Sequence, residues 1–164
     1  MWIGERLNKV TIKRIGGDVS QTNKWWTNLI YLPAHNKMDL ATLILRIAFG
    51  GAMIFGHGWG KLANFSERAT SFSDPIGLGN ETSLMLAVFA EFLCSLAVMF
   101  GFATRLALIP LIVTMLVAAF IVNFNQPFAR MEKAILFLVA FLVLMITGPG
   151  KFSFDAAIAK KLQA

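Results

Sequence analysis

Cysteine and histidine are scarce in this sequence of 164 residues, and their scarcity limits the chemistry that the chain can supply by itself. The single cysteine, Cys94, excludes a disulfide framework, a C-x-x-C redox pair and a cluster of thiolate metal ligands. The two histidines, His35 and His57, do not form a paired haem site in one bundle, because His35 lies outside the apolar segments. We therefore expect no intrinsic metal, haem or flavin.

Several nucleotide and catalytic motifs are also missing. The glycine-rich stretch F-G-G-A-M-I-F-G-H-G-W-G-K lacks the G-K-[ST] ending and the preceding strand of a phosphate loop. No serine lies in a nucleophile elbow, and no residues have the spacing of a structural zinc site. These absences exclude nucleotide binding and hydrolase chemistry of the familiar kinds.

Long apolar runs are what the sequence has in abundance. Hydrophobic residues make up 57% of the chain, and the mean hydropathy is +0.66. Four runs, at about 40–62, 83–101, 105–123 and 129–147, approach the roughly 20 helical residues that cross a bilayer. The short G-F-A-T-R connection makes the second and third runs antiparallel neighbours. We predict an all-α polytopic membrane protein, an up-and-down bundle of four transmembrane helices within residues 39–150.

Basic residues outnumber acidic ones by 15 to 9, for a net charge of +6, and they are unevenly placed. Most lie before the first run, between the second and third, and after the fourth, which share one side if there are four spans. The positive-inside rule then places both termini in the cytoplasm. We expect this surplus to face anionic lipid headgroups, not nucleic acid.

Two segments flank the predicted bundle. Residues 1–38 mix apolar and basic side chains without the pattern of a cleavable signal peptide. They predict an amphipathic extension at the cytoplasmic membrane surface, with a mobile tail as the alternative. Residues 151–164 predict a short cytoplasmic tail helix that begins after Gly148-Pro149-Gly150 and is capped by Ser153.

Ionisable residues inside the apolar runs are the candidates for function, because each costs about 2.5–3.5 kcal/mol at the centre of a span. Helical spacing predicts one shared face of the first run for Arg46, Gly50, Met53, His57, Lys61 and Asn64. Arg46 and Lys61 lie about 22 Å apart along a helix, so either side chain can reach its nearer surface. Gly56 and Gly60, together with Ala52, repeat every four residues and predict close approach by another helix or a flat ligand.

Glu91 lies near the middle of the second run, too far from either surface for its side chain to leave the membrane. Its depth predicts either a carboxyl protonated by burial or a carboxylate paired with His57 or Arg46. A purely structural pair and a site that binds or protonates a polar ligand both remain open.

Four segments in order resemble the DoxX family of small bacterial membrane proteins. They are R-I-A-F-G-G-A-M-I-F-G-H-G-W-G-K-L at 46–62, A-E-F-L-C-S-L-A at 90–97, G-F-A-T-R-L-A at 101–107 and G-P-G-K-F-S-F-D at 148–155. The resemblance carries family motif positions to Arg46, His57, Gly58, Lys61, Glu91, Gly101, Thr104, Arg105, Glu132, Gly148, Gly150, Ser153 and Asp155. It implies a four-helix protein of the bacterial inner membrane, a small subunit linked to quinone-dependent or thiol-oxidative redox systems.

The leading hypothesis from the sequence is a quinone-associated redox subunit. In it, the quinone ring lies beside Gly56 and Gly60, Glu91 and His57 handle protons as the catalytic groups, and Arg46 or Lys61 holds a carbonyl. The alternatives are an assembly subunit without enzymatic activity, and a small-molecule carrier, which the lack of an inverted repeat disfavours. Redox partner proteins and a homo-oligomer are further expectations.

Overall fold

The computed structural model describes residues 34–163. The predicted amphipathic extension lies outside the described residues, except for residues 34–38, which form the start of the first helix. Within residues 34–163, every regular element is a helix, as the hydropathy pattern predicts.

Three of the helices change from α-helical to π-helical winding along their length, and we treat each as one continuous element. α1 comprises Ala34–Met53, a π-turn at Ile54–Gly58, and Trp59–Ala63. α2 is the short helix Phe65–Arg68. α3 comprises Asn80–Val88, a π-turn at Phe89–Cys94, and Ser95–Phe100. α4 comprises Thr104–Val117 and a π-turn at Ala118–Val122, α5 is Phe128–Thr147, and α6 is Phe154–Leu162.

Three segments of the described chain are long and apolar enough to cross a membrane: Lys37–Ala63, Asn80–Phe100 and Thr104–Val122. α5 is 20 residues long but carries Arg130, Glu132 and Lys133 in its first two turns, which shortens its apolar part. A fourth span over α5 therefore stays a prediction.

Apolar side chains from α1, α3, α4 and α5 form the core of the unit Met38–Ala164. Its fully buried members include Met53, Val98, Leu108, Phe141 and Leu144. Many other large apolar side chains of these helices point outward and are exposed, which is the pattern of a surface covered by lipid.

α1 and α3 pack closely and run in opposite directions. Gly50 lies against Ser95 and Met99 of α3, whereas Gly58, two turns further along α1, lies against Glu91. The contacts therefore move backward along α3 as they move forward along α1. This antiparallel packing brings the π-turns of the two helices together.

The loop between α2 and α3 is organised by one carboxylate. Asp74 accepts hydrogen bonds from the backbone N–H of Leu78 at 2.9 Å and of Gly79 at 2.8 Å, and from the Ser83 hydroxyl at 2.8 Å. The hydrogen bond from Gly79, and next that from Ser83, lowers the pKa of Asp74 below its ordinary value. The charged carboxylate therefore fixes the approach of the loop to α3.

We expect this loop to loosen in acid. Because the pKa of Asp74 is lower in the folded protein, its contribution is present at neutral pH and is lost as the pH falls through the ordinary carboxyl range toward the lowered value. Amide hydrogen exchange of Leu78 and Gly79, corrected for intrinsic rates, should accelerate over that range. Asp74→Ala should show fast exchange already at pH 7, and Glu81→Ala should behave as wild type. Equal protection at pH 7 and pH 3 in the wild type would contradict this role.

Candidate functional site

A buried ion pair joins α1 to α3. The Lys61 ammonium donates to the Glu91 carboxylate, and the two side chains are 16% and 7% exposed. At such burial the two charges stabilise each other only as a pair, since either one left alone lacks solvent. The central polar feature of this end of the bundle is therefore a bond between Lys61 and Glu91.

The sequence predicted that Glu91 is either protonated by burial or paired with His57 or Arg46, and the structure pairs it with Lys61 instead. The prediction placed Glu91 at a depth between His57 and Arg46. In the structure Glu91 lies about three turns into α3 but contacts Gly58 and Lys61 in the last two turns of α1. α3 thus projects past the end of α1, and Lys61 lies at the depth of Glu91.

Gly58 permits the close contact between the two π-turns. A Cβ built on Gly58 would lie 2.7 Å from the Glu91 carbonyl oxygen, 2.8 Å from its carbon and 2.9 Å from the Phe92 nitrogen. These are backbone atoms, so a side chain at position 58 fits only if one helix moves. Gly58 therefore sets the spacing that lets Lys61 reach Glu91.

His57 lies outside the buried face that the sequence predicted for it. Its imidazole is exposed and meets the Phe137 ring of α5 edge-on, with 5.6 Å between the ring centres. A π-helical turn contains one residue more than an α-helical turn. The next residue after Met53 and Ile54 that faces the bundle is therefore Gly58, not His57. The imidazole remains within electrostatic reach of Glu91, Lys61 and Lys133.

Gly56 and Gly60 do not provide the helix contact that their spacing predicts. A Cβ on either residue meets no atom within 4 Å. Close approach occurs instead at Gly58 and at Gly50, where a Cβ would lie 3.1 Å from the Ser95 carbonyl oxygen. Gly56 and Gly60 thus form an uncovered strip beside His57 and Lys61 on the outside of α1.

This difference between the glycines gives a matched pair of substitutions. We expect Gly58→Ala to lower the free energy of unfolding by about 1–3 kcal/mol, because its Cβ overlaps the backbone of α3. Gly56→Ala, in the same π-turn, should change it by less than about 1 kcal/mol. Reversible unfolding in mixed detergent micelles measures both values, and equal losses in the two variants would refute the packing role of Gly58.

A second cluster of polar groups lies at the other end of α1, around Arg46. The Arg46 guanidinium is 1% exposed and donates to the carbonyl oxygens of Pro149 and Phe152, the latter at 2.6 Å. Gly101 has a φ of +72°, and a Cβ there would overlap Arg46 Nη1 and lie 2.6 Å from the Ser153 Cβ. Arg46 therefore holds the segment that follows α5, residues 148–155, which we call the C-terminal clasp.

Asp155 fastens the other side of the clasp. Its carboxylate accepts from the backbone N–H of Ala103 at 2.7 Å, and from the N–H and hydroxyl of Thr104 at 2.9 and 2.8 Å. A carboxylate at this position satisfies the free N–H groups at the start of α4 and favours its positive dipole end. Ser153 Oγ accepts from the Ala156 N–H at 3.1 Å and so caps α6, as the sequence predicts.

Comparison with known proteins supports the resemblance to the DoxX family. Residues 41–124 match the sequence profile of the DoxX family. The chain is 31% identical over 129 residues to the inner membrane protein YqjF of Escherichia coli (strain K12). The aligned region covers 75% of this chain and 95% of that protein. The chain belongs to the DoxX family. It is an integral membrane protein similar to one of the inner membrane, and no solved structure matches it significantly.

The DoxX motif positions separate into two groups in the structure. Gly58, Lys61 and Glu91 form the ion-pair end, with His57 beside them on the outside. The other group forms the clasp: Arg46, Gly101, Thr104, Gly148, Gly150, Ser153 and Asp155. Arg105 is exposed at the edge of the clasp, where its Nη2 would lie 3.6 Å from a Cβ on Gly148, and Glu132 is exposed on α5. Of the predicted site residues, Glu91, His57 and Lys61 therefore lie at the ion-pair end, whereas Arg46 lies in the clasp.

Three residues of this DoxX protein contribute contacts that the sequence did not identify. Asp39 accepts from the Lys151 N–H at 3.0 Å and pairs with the Lys151 ammonium at 3.3 Å. Thr42 is buried where a Cβ on Gly150 would overlap its hydroxyl, and Gly50 contacts Ser95. The four-residue spacing of Thr42, Arg46 and Gly50 could have identified Thr42, because it continues the buried face of α1 toward the start of the helix.

Two surface grooves lie at the clasp end. One, of about 340 Å³, is lined by Leu43, Arg46, Ile47, Met99, Phe100 and Phe152. The other, of about 390 Å³, lies between the start of α4 and α6. Neither is lined by Lys61 or Glu91. Among the described residues, no group of three or more His, Cys, Asp or Glu side chains has the geometry to hold a metal ion.

Proposed function

We propose that this DoxX protein is a quinone-associated subunit of a membrane redox system, and that its quinone site is the outer surface of α1 beside the Lys61–Glu91 pair. The observation that carries the proposal is a buried ion pair next to an uncovered strip, Gly56 and Gly60, and an exposed histidine. Ionisable groups kept at membrane depth are costly, and they are found mainly where a membrane protein moves protons or binds polar ligands.

The proposal includes four spans, with both termini in the cytoplasm. α5 is 20 residues long and buries Phe141 and Leu144 in the core, which supports its membership in the bundle. The bonds from Arg46 to Pro149 and Phe152 bring the end of α5 to the start of α1, as an even number of crossings requires. The basic residues at this end, Arg105, Lys151, Lys160 and Lys161, support a cytoplasmic location.

The residues of this surface fit a quinone head group. A flat ring approaching from lipid meets open space at Gly56 and Gly60, because a Cβ built on either residue has no atom within 4 Å apart from those of the adjacent residues and of its own helix backbone. Next to these glycines, His57 and Lys61 carry N–H donors of the kind that carbonyl oxygens require. Arg46 has no part in this site. When bound, the quinone supplies two-electron, two-proton redox chemistry.

The protein's own groups have distinct tasks in this proposal. Glu91 holds or releases a proton at its carboxylate, and the Lys61 ammonium fixes that carboxylate against α1. His57 exchanges a proton at its imidazole on the outer surface, where Phe137 orients the ring. The packed π-turns at Gly58 exclude water between the helices. The protonation of the Glu91 carboxylate therefore depends on its contact with Lys61 and not on water.

The test is quinone reduction by the protein together with the partners that co-purify with it in mild detergent. We expect Glu91→Gln to lower turnover per assembled complex at least tenfold, whatever fraction of the complex is recovered, which is within the about 10²–10⁴-fold range of general acid–base catalysis. Glu81→Gln, which changes an exposed carboxylate in the first turn of α3, is the matched control and should retain full turnover. Unchanged turnover in Glu91→Gln would remove Glu91 from the mechanism.

A second function, an assembly subunit without its own chemistry, is favoured by the clasp. Arg46 and Asp155 form hydrogen bonds within the protein, and these bonds hold residues 148–155 in place. In this case the Lys61–Glu91 pair fixes the register of α1 and α3. Glu91→Gln would then lower the recovery of the complex and leave turnover per assembled complex intact, so the same experiment separates the two functions.

A further inference from the structure

The groove between α1 and the end of α3 contains an unusual buried cation. Five of its six lining residues are apolar, and the sixth is Arg46. The groove lies at the opposite end of α1 from the Lys61–Glu91 pair, so the inference drawn from it does not depend on a quinone site.

The hydrogen bonds of Arg46 are incomplete. Its two terminal nitrogens donate to the carbonyl oxygens of Pro149 and Phe152, but Nε is buried and has no hydrogen-bond partner within residues 34–163. Buried polar groups are nearly always paired, and an unpaired one indicates a missing partner more often than a tolerated defect. The Nε–H donor of the guanidinium therefore remains available for a ligand acceptor.

The charge of Arg46 is also without a direct counter-charge. Within the described residues, no carboxylate lies within 4 Å of it, because the ion pairs of that distance are Lys61–Glu91 and Lys151–Asp39. The Asp155 charge acts on Arg46 from further away, and its oxygens are occupied by Ala103 and Thr104. A buried cation with only neutral partners favours an anion beside it.

The residues that line and surround the groove indicate which kind of anion binds there. Leu43, Ile47 and Met99 offer an apolar wall along the bilayer, which suits an acyl chain. The basic residues Lys151, Lys160 and Lys161 are exposed at the same end and attract a negative head group. A free phosphate ion would gain the charge contact but leave the apolar wall uncovered.

We propose that this groove binds one anionic phospholipid, with a phosphate oxygen accepting from Arg46 Nε and an acyl chain on Leu43, Ile47 and Met99. The exposed Phe152 ring at the rim turns aside to admit the head group. The lipid neutralises Arg46 and covers the junction between α1, α3 and the C-terminal clasp.

Native mass spectrometry of the protein released from nanodiscs tests the proposal. With equal phosphatidylglycerol and phosphatidylcholine in the disc, we expect the wild type to retain one phosphatidylglycerol per chain, at least fivefold over phosphatidylcholine. Ile47→Trp fills the groove and should lose that retention, whereas Ile146→Trp, exposed at the same end but outside the groove, should keep it. Equal retention of both lipids, or an unaffected Ile47→Trp, would overturn the site.

Two measurements on the wild type keep the test independent of how the variants fold. Phosphatidylglycerol with a photoreactive acyl chain should form adducts at residues 43–47 and 99–100, and adducts confined to other helices would contradict the assignment. Glycerol 3-phosphate distinguishes the lipid from its head group. We expect it not to raise the melting temperature at millimolar concentration, whereas stabilisation equal to that by phosphatidylglycerol would replace the lipid site with a simple phosphate site.

Discussion

Lys61→Met is expected to lower the free energy of unfolding by about 3–5 kcal/mol, because it leaves the Glu91 carboxylate buried without its partner. The pair joins α1 to α3 at the contact of their π-turns, so its loss also loosens the packing at Gly58. Reversible unfolding in mixed detergent micelles, monitored by circular dichroism, measures the change.

The double variant Lys61→Met/Glu91→Leu is the decisive companion to that measurement. With both charges removed, neither position holds a buried charge without its partner, and we expect most of the lost stability to return. Lys160→Met, which changes an exposed lysine on α6, should stay close to wild type. If the double variant were as unstable as the sum of its single variants, Lys61 and Glu91 would not be coupled.

Asp155→Ala has the second largest expected effect. It removes the acceptor for three hydrogen bonds, from the Ala103 N–H and from the N–H and hydroxyl of Thr104. Bonds to charged groups contribute about 1.5–3 kcal/mol each, and since the three share one carboxylate, a total loss of about 3 kcal/mol is expected. The start of α4 and the C-terminal clasp should then separate.

Limited trypsin digestion shows that separation directly. Lys151 lies inside the clasp, and we expect cleavage there to be at least tenfold faster in Asp155→Ala than in the wild type, as the clasp opens more often. Gln163→Ala, which changes an exposed residue just after α6, is the control. Cleavage at an unchanged rate would mean that Asp155 does not hold the clasp closed.

The long helices of the fold were predictable because each corresponds to one run of mainly hydrophobic residues in the sequence. The runs at 83–101 and 105–123 correspond to α3 and α4, whose ends differ from the predicted ones by up to three residues. The cap at Ser153 was predictable for a similar reason, since it depends on residues close together in the chain. The start of α1 at Ala34 was not, because residues 35–37 are polar.

The composition of the candidate site was predictable, but its geometry was not. Glu91, His57 and Lys61 stand out as ionisable residues in apolar runs. The π-turn at Ile54–Gly58 leaves no clear mark in the sequence, yet it turns His57 outward and Gly58 inward. A shift of one residue in helical phase thereby changes which groups meet between α1 and α3.

Arg46 illustrates a second limit. A charged residue in an apolar run predicts a polar partner, but the partners of Arg46 are the main-chain oxygens of Pro149 and Phe152, more than 100 residues away. Main-chain acceptors exist at every position, so no side-chain pattern identifies them. The DoxX motif positions marked both parts of the clasp without showing that they bind each other.

Photoaffinity labelling tests the central proposal most directly. The wild-type protein in native-like membranes is exposed to a quinone with a photoreactive group on its ring, and the labelled peptides are mapped by mass spectrometry. The account predicts labelling within residues 56–61 of α1, suppressed by excess unmodified quinone and retained in Glu81→Gln. Labelling that excess quinone does not suppress, or that is absent from this segment, would contradict a quinone site beside the Lys61–Glu91 pair.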